Sequence, residues 1–254
     1  MEIRFDNRIV LVTGASRGIG KAIAGMFAAS GAIVILHYKS NKDAAKSVLK
    51  SVTGKGHQVV RADLSLTNNI EKLVQKTVKT LGRIDILVNN AGIFQEMEMP
   101  ALDFKAFQKY WTNTLNVNLR GPAYLSFLVA QEMIKQGGGK IINISSRGAF
   151  RGEPNAWAYG ASKAGLNALG QSMAKSLAPY KIFVYTLAPG YVETDMTSSY
   201  LASEKAIKIT SQSPMKRVAQ PGEIAKAVMM LAADGTEYMT GCILDINGAS
   251  YLRT

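Results

Sequence analysis

The chain has 254 residues, with 30 Lys and Arg against 18 Asp and Glu, a formal charge of +12. Hydrophobic residues make up 47% and charged residues 19%, a mix that excludes a disordered chain and fits a core-bearing α/β domain. A single cysteine, Cys242, excludes an internal disulfide and a cysteine zinc cluster; two histidines, His37 and His57, argue against a multi-histidine metal site, so no metal is expected. No apolar run approaches the ~18 residues of a membrane span. The start, MEIRFDNRIV, is interrupted by charge and has no signal-peptide core. The expected setting is therefore reducing and cytoplasmic. The lysines are spread, without a block of like charge or an aromatic-interleaved stripe, so nucleic acid is not expected as a partner.

Short, β-branched apolar runs at 9–12, 33–36, 59–60, 84–88, 141–144, 182–187 and 243–246 predict seven strands buried on both faces. Between them lie helical patterns. Ile19, Ile23, Met26 and Phe27 share one face, as do Ile70, Leu73, Val74 and Val78. This alternation predicts a doubly wound α/β domain over 1–254, a seven-stranded, mainly parallel sheet with helices on both faces. Gly137–Gly139 reads as a helix stop before the fifth strand. Residues 191–217 carry few apolar anchors. Their place after the sixth strand's carboxyl end predicts a substrate lid.

The first strand enters Thr13-Gly14-Ala15-Ser16-Arg17-Gly18-Ile19-Gly20 and then an amphipathic helix. Glycines let backbone approach a ligand, and a helix N-terminus offers free N–H groups to a phosphate. The spacing departs from Gly-x-Gly-x-x-Gly, and a tight turn without ligand is the alternative. Further along come Asn89-Asn90-Ala91-Gly92, Asn118 in NVNLRG, Ser146 after the fifth strand, Tyr159-Gly160-Ala161-Ser162-Lys163, and Pro189-Gly190 with Thr194 beyond. Tyr159 and Lys163 share a helix face if helical. A tyrosine titrates near 10, and an adjacent ammonium is expected to lower it by roughly 2–3 units, about 3–4 kcal/mol.

These motifs, in order and in register over essentially the whole chain, resemble the short-chain dehydrogenase/reductase family. The subgroup they look most like is the 3-oxoacyl-acyl-carrier-protein reductases. The resemblance implies a Rossmann-type fold, a nicotinamide cofactor and hydride transfer between a carbonyl and a secondary alcohol. It implies Tyr159 as acid/base, Lys163 as its activator and ribose ligand, Ser146 as carbonyl anchor and Asn118 as organiser of a proton relay. Ser145 is the neighbouring candidate, and the family register selects Ser146. The cofactor set it implies is Gly14, Ser16, Arg17, Gly18, Ile19 and Gly20 in the loop, and Asp63, Leu64, Asn90 and Gly92 on the adenosine side. Pro189, Gly190, Val192 and Thr194 complete it beside the nicotinamide. It also implies a homotetramer paired through 103–136 and 157–178. Tyr185, Asn247-Gly248-Ala249 and Tyr180-Lys181 depart from the family pattern. A sugar, steroid or small-alcohol dehydrogenase is the alternative within the family, and a non-catalytic dinucleotide-sensing protein the alternative outside enzymes.

Two finer expectations concern charge. The family's acidic position after the second strand falls on Tyr38, with no carboxylate there, and Lys39 follows it, so NADP(H) is expected over NAD(H), held by Lys39 and Arg17. Arg147, Arg151, Arg120, Lys205, Lys208, Lys216 and Arg217 are expected to frame the substrate mouth and steer an acyl carrier protein or its phosphopantetheine arm. The alternative is a set of solvated charges.

Overall fold

A computed structural model describes residues 3–253, apart from the side chain of Lys205. The chain runs β1 (Ile9–Val12), α1 (Gly18–Ala29), β2 (Ile33–Tyr38), α2 (Lys42–Ser51), β3 (Gln58–Arg61), α3 (Thr67–Leu81) and β4 (Ile86–Asn89). It continues α4 (Phe104–Leu115), a π turn (Asn116–Arg120), α5 (Gly121–Gln136), β5 (Gly139–Ile144), α6 (Gly148–Arg151), α7 (Trp157–Leu177) and β6 (Ile182–Pro189). It closes with α8 (Ser198–Leu201), α9 (Lys205–Thr210), α10 (Pro221–Ala232) and β7 (Ile243–Ile246). The strands form one sheet in the order β3-β2-β1-β4-β5-β6-β7. Every pairing is parallel, in keeping with the predicted doubly wound sheet. Among the described residues, no helix is long and apolar enough to cross a membrane.

Two apolar layers explain the continuous runs. In β1, Val10 and Val12 face Ile23, Phe27 and the α10 residues Ile224 and Val228, while Ile9 and Leu11 face Leu73, Leu125 and Val129. Successive side chains point to opposite faces, so a strand covered on both sides must be apolar throughout. Ile23 and Phe27 are fully buried, each worth ~1.5–3 kcal/mol against exposure.

Local chemistry sets the boundaries. Gly137 takes φ +92° at the end of α5, the left-handed stop, while Gly139 already belongs to β5. The predicted fourth strand begins two residues later than Ile84. The Ile84 N–H is taken by Gln136 Oε1 and its carbonyl by Gln136 Nε2, so it makes no ladder bond. Helix α10 starts on a capping box, Gln220 with Glu223, with Pro221 in the first turn. Arg217 grips the same Glu223 through two contacts of 2.7 and 2.8 Å. That guanidinium holds the Glu223 carboxyl down to about 2.

The chain's own departures are visible too. Tyr185 is fully buried in β6 and donates to the Thr236 carbonyl at 3.2 Å. Lys181 and Ala249 sit at φ +58° and +54°, the left-handed region that favours glycine.

Candidate functional site

The sheet order reverses between β1 and β4, and the crevice outside the strands' carboxyl ends opens there. A cleft of about 760 Å³ occupies it, within the range of small-molecule sites. Gly14, Ser16, Arg17, Gly18, Ile19, Lys39, Asp63, Leu64, Asn90, Gly92, Ser146, Tyr159, Lys163, Pro189, Gly190, Val192 and Thr194 all line it. Two sequence-predicted residues do not. Gly20 and Asn118 stand behind the wall, Gly20 acting through close packing and Asn118 through hydrogen bonds.

The glycine loop is built from three sides. Thr13 Oγ1 donates to the Val88 carbonyl and accepts from the N–H groups of Asn90 and Ala91, which ties β1 to β4. Asn90 Nδ2 donates to the carbonyls of Thr13 at 2.8 Å and Gly14 at 3.2 Å. Asn90 therefore shapes the loop as well as lining the cleft. A Cβ at Gly20 would lie 2.3 Å from the Gly14 carbonyl oxygen, so only glycine lets α1 begin this close to β1. The N-terminus of α1 has no side-chain cap and no acidic residue in its first turn. Free N–H groups and a positive dipole end face the cleft, and this fits a dinucleotide pyrophosphate.

His37 forms the third side, with a role the sequence reading did not assign. Its Nδ1 accepts from the Gly14 N–H at 3.1 Å, so Nε2 carries the proton and donates to the Ala62 carbonyl at 3.1 Å. The ring thus bridges the loop and the end of β3 as a neutral imidazole. Burial pushes it down to about 4 from 6.5. Between those values the unfolded chain binds a proton that the folded chain does not, so stability falls as pH drops from 6.5 towards 4. The loss expected is about 3 kcal/mol. His37→Gln keeps both hydrogen bonds without the titration. Its urea midpoint should overtake that of the wild type at pH 4, and parallel curves would contradict this role. His57 makes the same kind of bridge, from the Val34 N–H to the Thr53 carbonyl.

On the opposite side, α7 presents Tyr159 and Lys163 to the cleft floor. Lys163 is buried, with Nζ donating to the Ile144 carbonyl at 2.8 Å. Tyr159 faces Ser146 across the cleft floor, and Ser146 Oγ accepts from the Gly148 N–H at 3.0 Å. Ser145 is excluded from this role, since its hydroxyl donates to the Lys163 carbonyl. Asn118 sits in the π turn, not in regular helix. Its Oδ1 accepts from Ile93 N–H, and its Nδ2 donates to the Ile93 carbonyl and Ser162 Oγ. A Cβ at Gly92 would press on Asn118 Oδ1 at 3.3 Å and only touch Lys163 Nζ at 3.5 Å.

The electrostatics correct one expectation. Burial governs both members of the Tyr–Lys pair, raising Tyr159 to about 12 and lowering Lys163 to about 8. The Lys163 ammonium lies 5.8 Å from the ring centroid, and it is the Ser146 hydroxyl that pulls the phenol back down. Near neutral pH the phenol is thus a neutral proton donor.

At the adenosine end, Lys39 Nζ lies 2.9 Å from Asp63 Oδ2, and Ser65 donates twice to Asp63 Oδ1. Burial alone would raise the Asp63 carboxyl, but these contacts outweigh it and hold it below its usual value. Arg17 approaches Asp195 of the lid at 3.8 Å.

The basic residues predicted around the mouth do not form one solvated frame. Arg147 is buried, Arg217 pairs with Glu223, and Arg120 donates to the Ser65 carbonyl. Only Lys208 and Lys216 are free surface charges of that group, and the Lys205 side chain lies outside the described residues. Sequence reading also missed an aromatic wall. Phe94 meets Tyr159 edge-on at 5.0 Å and Tyr200 at 6.3 Å, with Tyr191 and Glu153 beside them. No periodicity marks such residues, because they come from separate loops and helices distant in sequence.

Comparison with known proteins follows this geometry closely. A family model described as enoyl-(acyl carrier protein) reductase matches residues 14–249. A short-chain type dehydrogenase/reductase from Mycobacterium ulcerans superposes with a TM-score of 0.90 at 26% identity, over 98% of this chain and 91% of that one. The chain belongs to the short-chain dehydrogenase/reductase family. As a member of it, the protein is a nicotinamide-dependent oxidoreductase. Among curated proteins it is 38% identical to the 3-oxoacyl-[acyl-carrier-protein] reductase FabG of Thermotoga maritima, over 97% of this chain and 98% of that protein. It is also 38% identical to the FabG of Aquifex aeolicus, over 99% and 100%. The crystal structure of gox2181 superposes with a TM-score of 0.90 at 31% identity, covering 98% and 97%.

Proposed function

We propose that this short-chain dehydrogenase/reductase reduces the ketone of a 3-oxoacyl thioester presented by an acyl carrier protein, in the cytoplasm, with NADPH. The observation that carries the reading is that the Ser146 and Tyr159 hydroxyls line one cleft floor, with Lys163 beside them. Two hydroxyls on one floor suit a single carbonyl oxygen. The bound nicotinamide supplies the hydride. Tyr159 gives its proton to the developing alkoxide, and Ser146 holds that oxygen in place. Lys163 stands beside the phenol and would hold the cofactor ribose. Asn118 organises the relay by fixing Ile93 and Ser162 beside Lys163. Pro189, Gly190, Val192 and Thr194 would border the nicotinamide, and Asp63 with Leu64 the adenine.

The relatives named as 3-oxoacyl reductases support this substrate class. The description of the matched family model favours a second reading, reduction of an enoyl thioester. A panel of 3-oxoacyl and trans-2-enoyl thioesters, with sugars, steroids and small ketones, tests both at the nicotinamide absorbance band. Turnover of the 3-oxo compounds is expected. Turnover of the enoyl series alone would reverse the assignment, and nucleotide binding without any turnover would favour a sensing role.

Cofactor choice follows from charge. No carboxylate ends β2, and Lys39 and Arg17 both border the cleft at that end. Two charge-assisted contacts to a 2′-phosphate, each roughly 1.5–3 kcal/mol, exceed what the exposed pairs with Asp63 and Asp195 give back. A preference for NADPH of about tenfold or more in kcat/KM is expected. Lys39→Asp should reverse it, and an unchanged ratio would refute the assignment.

The exposed apolar side chains Phe104, Tyr124, Phe127 and Trp157 on α4, α5 and α7 support assembly as a homotetramer through those helices. A monomer mass by light scattering would remove that element.

A further inference from the structure

Arg147 directly follows Ser146 and is only 3% exposed, yet among the described residues it has no carboxylate within ion-pair distance. Its guanidinium donates to Ser250 Oγ of the C-terminal segment and to Gln212 Oε1 after α9. One face lies over the Tyr191 ring, 5.0 Å from the centroid. Arg151 reaches the same Gln212 Oε1 at 3.2 Å. Two guanidinium groups therefore converge on one neutral amide oxygen. The nearby carboxylate, Glu153, touches Arg151 through long contacts of 3.4 Å and leaves the cluster one positive charge in excess. Arg147, Glu153 and Tyr191 line the cleft; Arg151 and Gln212 do not, and join it only through the shared contact with Arg147.

Burying a cation without a counter-ion is costly, and a planar guanidinium fork matches an oxyanion better than an amide. Burial and the facing Arg151 charge both hold Arg147 below its usual value, as expected where an anion would relieve the pair.

We propose that Arg147 and Arg151 form an oxyanion subsite for a singly charged group carried by the carbonyl substrate, with Gln212 Oε1 holding that place in its absence. The group is a carboxylate or a phosphodiester, either of which balances the excess charge. The inference rests on the carbonyl reading of Ser146 and Tyr159, and places the anion on the lid side of that centre.

The test compares 3-, 4- and 5-oxo acids with their methyl esters, and a carrier-linked 3-oxoacyl thioester with its neutral N-acetylcysteamine thioester. In Arg151→Gln, KM for the anionic member of a pair should rise about tenfold relative to KM for its neutral partner. Arg147→Lys, which keeps the charge and loses the fork, should give a smaller change in the same ratio. A response in the acids identifies a carboxylate, and one in the carrier pair alone a phosphodiester. Ratios unchanged in both pairs would overturn the subsite and leave the two arginines as structural clamps. A thermal-shift titration with acetate and with dimethyl phosphate is read separately. Stabilisation present in wild type and in Lys39→Asp but lost in Arg151→Gln supports the subsite even if no carbonyl compound is turned over. Stabilisation absent, or equal in all three proteins, counts against it.

Discussion

Tyr159→Phe is expected to lower kcat by roughly 10²–10⁴-fold, the range for loss of a positioned general acid, with nucleotide affinity held within about twofold. The substitution removes one oxygen and nothing else from the cleft. The edge-on contact with Phe94 is made by the ring and survives. Ser146 keeps its bond from the Gly148 N–H, so the carbonyl anchor stays in place. What disappears is the proton, and no other group on the cleft floor is suited to replace it. Lys163 is turned to the Ile144 carbonyl, and His37 is held neutral between two backbone groups. Steady-state kinetics and fluorescence titration of the nucleotide separate the two effects. A variant that retains more than a tenth of the wild-type kcat would show that the proton comes from elsewhere.

Lys163→Met should abolish most activity and, at pH 7, make the protein more stable. The ammonium is 4% exposed, and burial lowers it to about 8 from 10.5. Between those two values the unfolded chain holds a proton that the folded chain has lost, so stability rises with pH across that window. Below pH 8 both states are protonated, and the folded protein carries the full cost of the buried charge, about 3 kcal/mol. Methionine removes that cost and fills similar space. It also takes the donor from the Ile144 carbonyl, a penalty of about 1–2 kcal/mol. The net gain expected at pH 7 is about 1–2 kcal/mol, read from urea melts. It should shrink as pH rises from 8 to 10.5, where the wild type sheds its own burden. A variant no more stable than wild type at pH 7 would refute the argument. A catalytic group that destabilises its own fold is the ordinary trade between activity and stability.

Much of this site is legible in the residues because its parts follow strand ends. The loop from Thr13 to Gly20, Asn90, Ser146 and Gly190 each come just past a strand, where the parallel sheet brings them to one edge. What the sequence does not show is how side chains settle once that edge is formed. Tyr159 and Lys163 read as an ion-tuned pair by spacing. Burial, which spacing does not report, decides their behaviour. Gly20 and Asn118 read as cleft residues by register, but their neighbours place them one layer back. Arg147 reads with Arg151 as part of a basic frame at the substrate mouth. Only the fold brings Ser250 and Gln212, distant in sequence, around it.

The wide turn at Asn116–Arg120 has a consequence for tolerance to change. A π turn holds one residue more than the α-turn it interrupts, so it shifts the angular phase of everything downstream by about 100°. With that shift, Asn118 faces the Ile93 loop while Leu125, Val129 and Met133 still face the sheet. A single-residue deletion here would restore regular winding and keep every apolar residue of α5. It would also rotate that stripe off the sheet, or else swing the Asn118 amide away from Lys163. One inserted residue thus lets a single rod, Phe104 to Gln136, serve two masters at different azimuths: the catalytic floor and the hydrophobic layer.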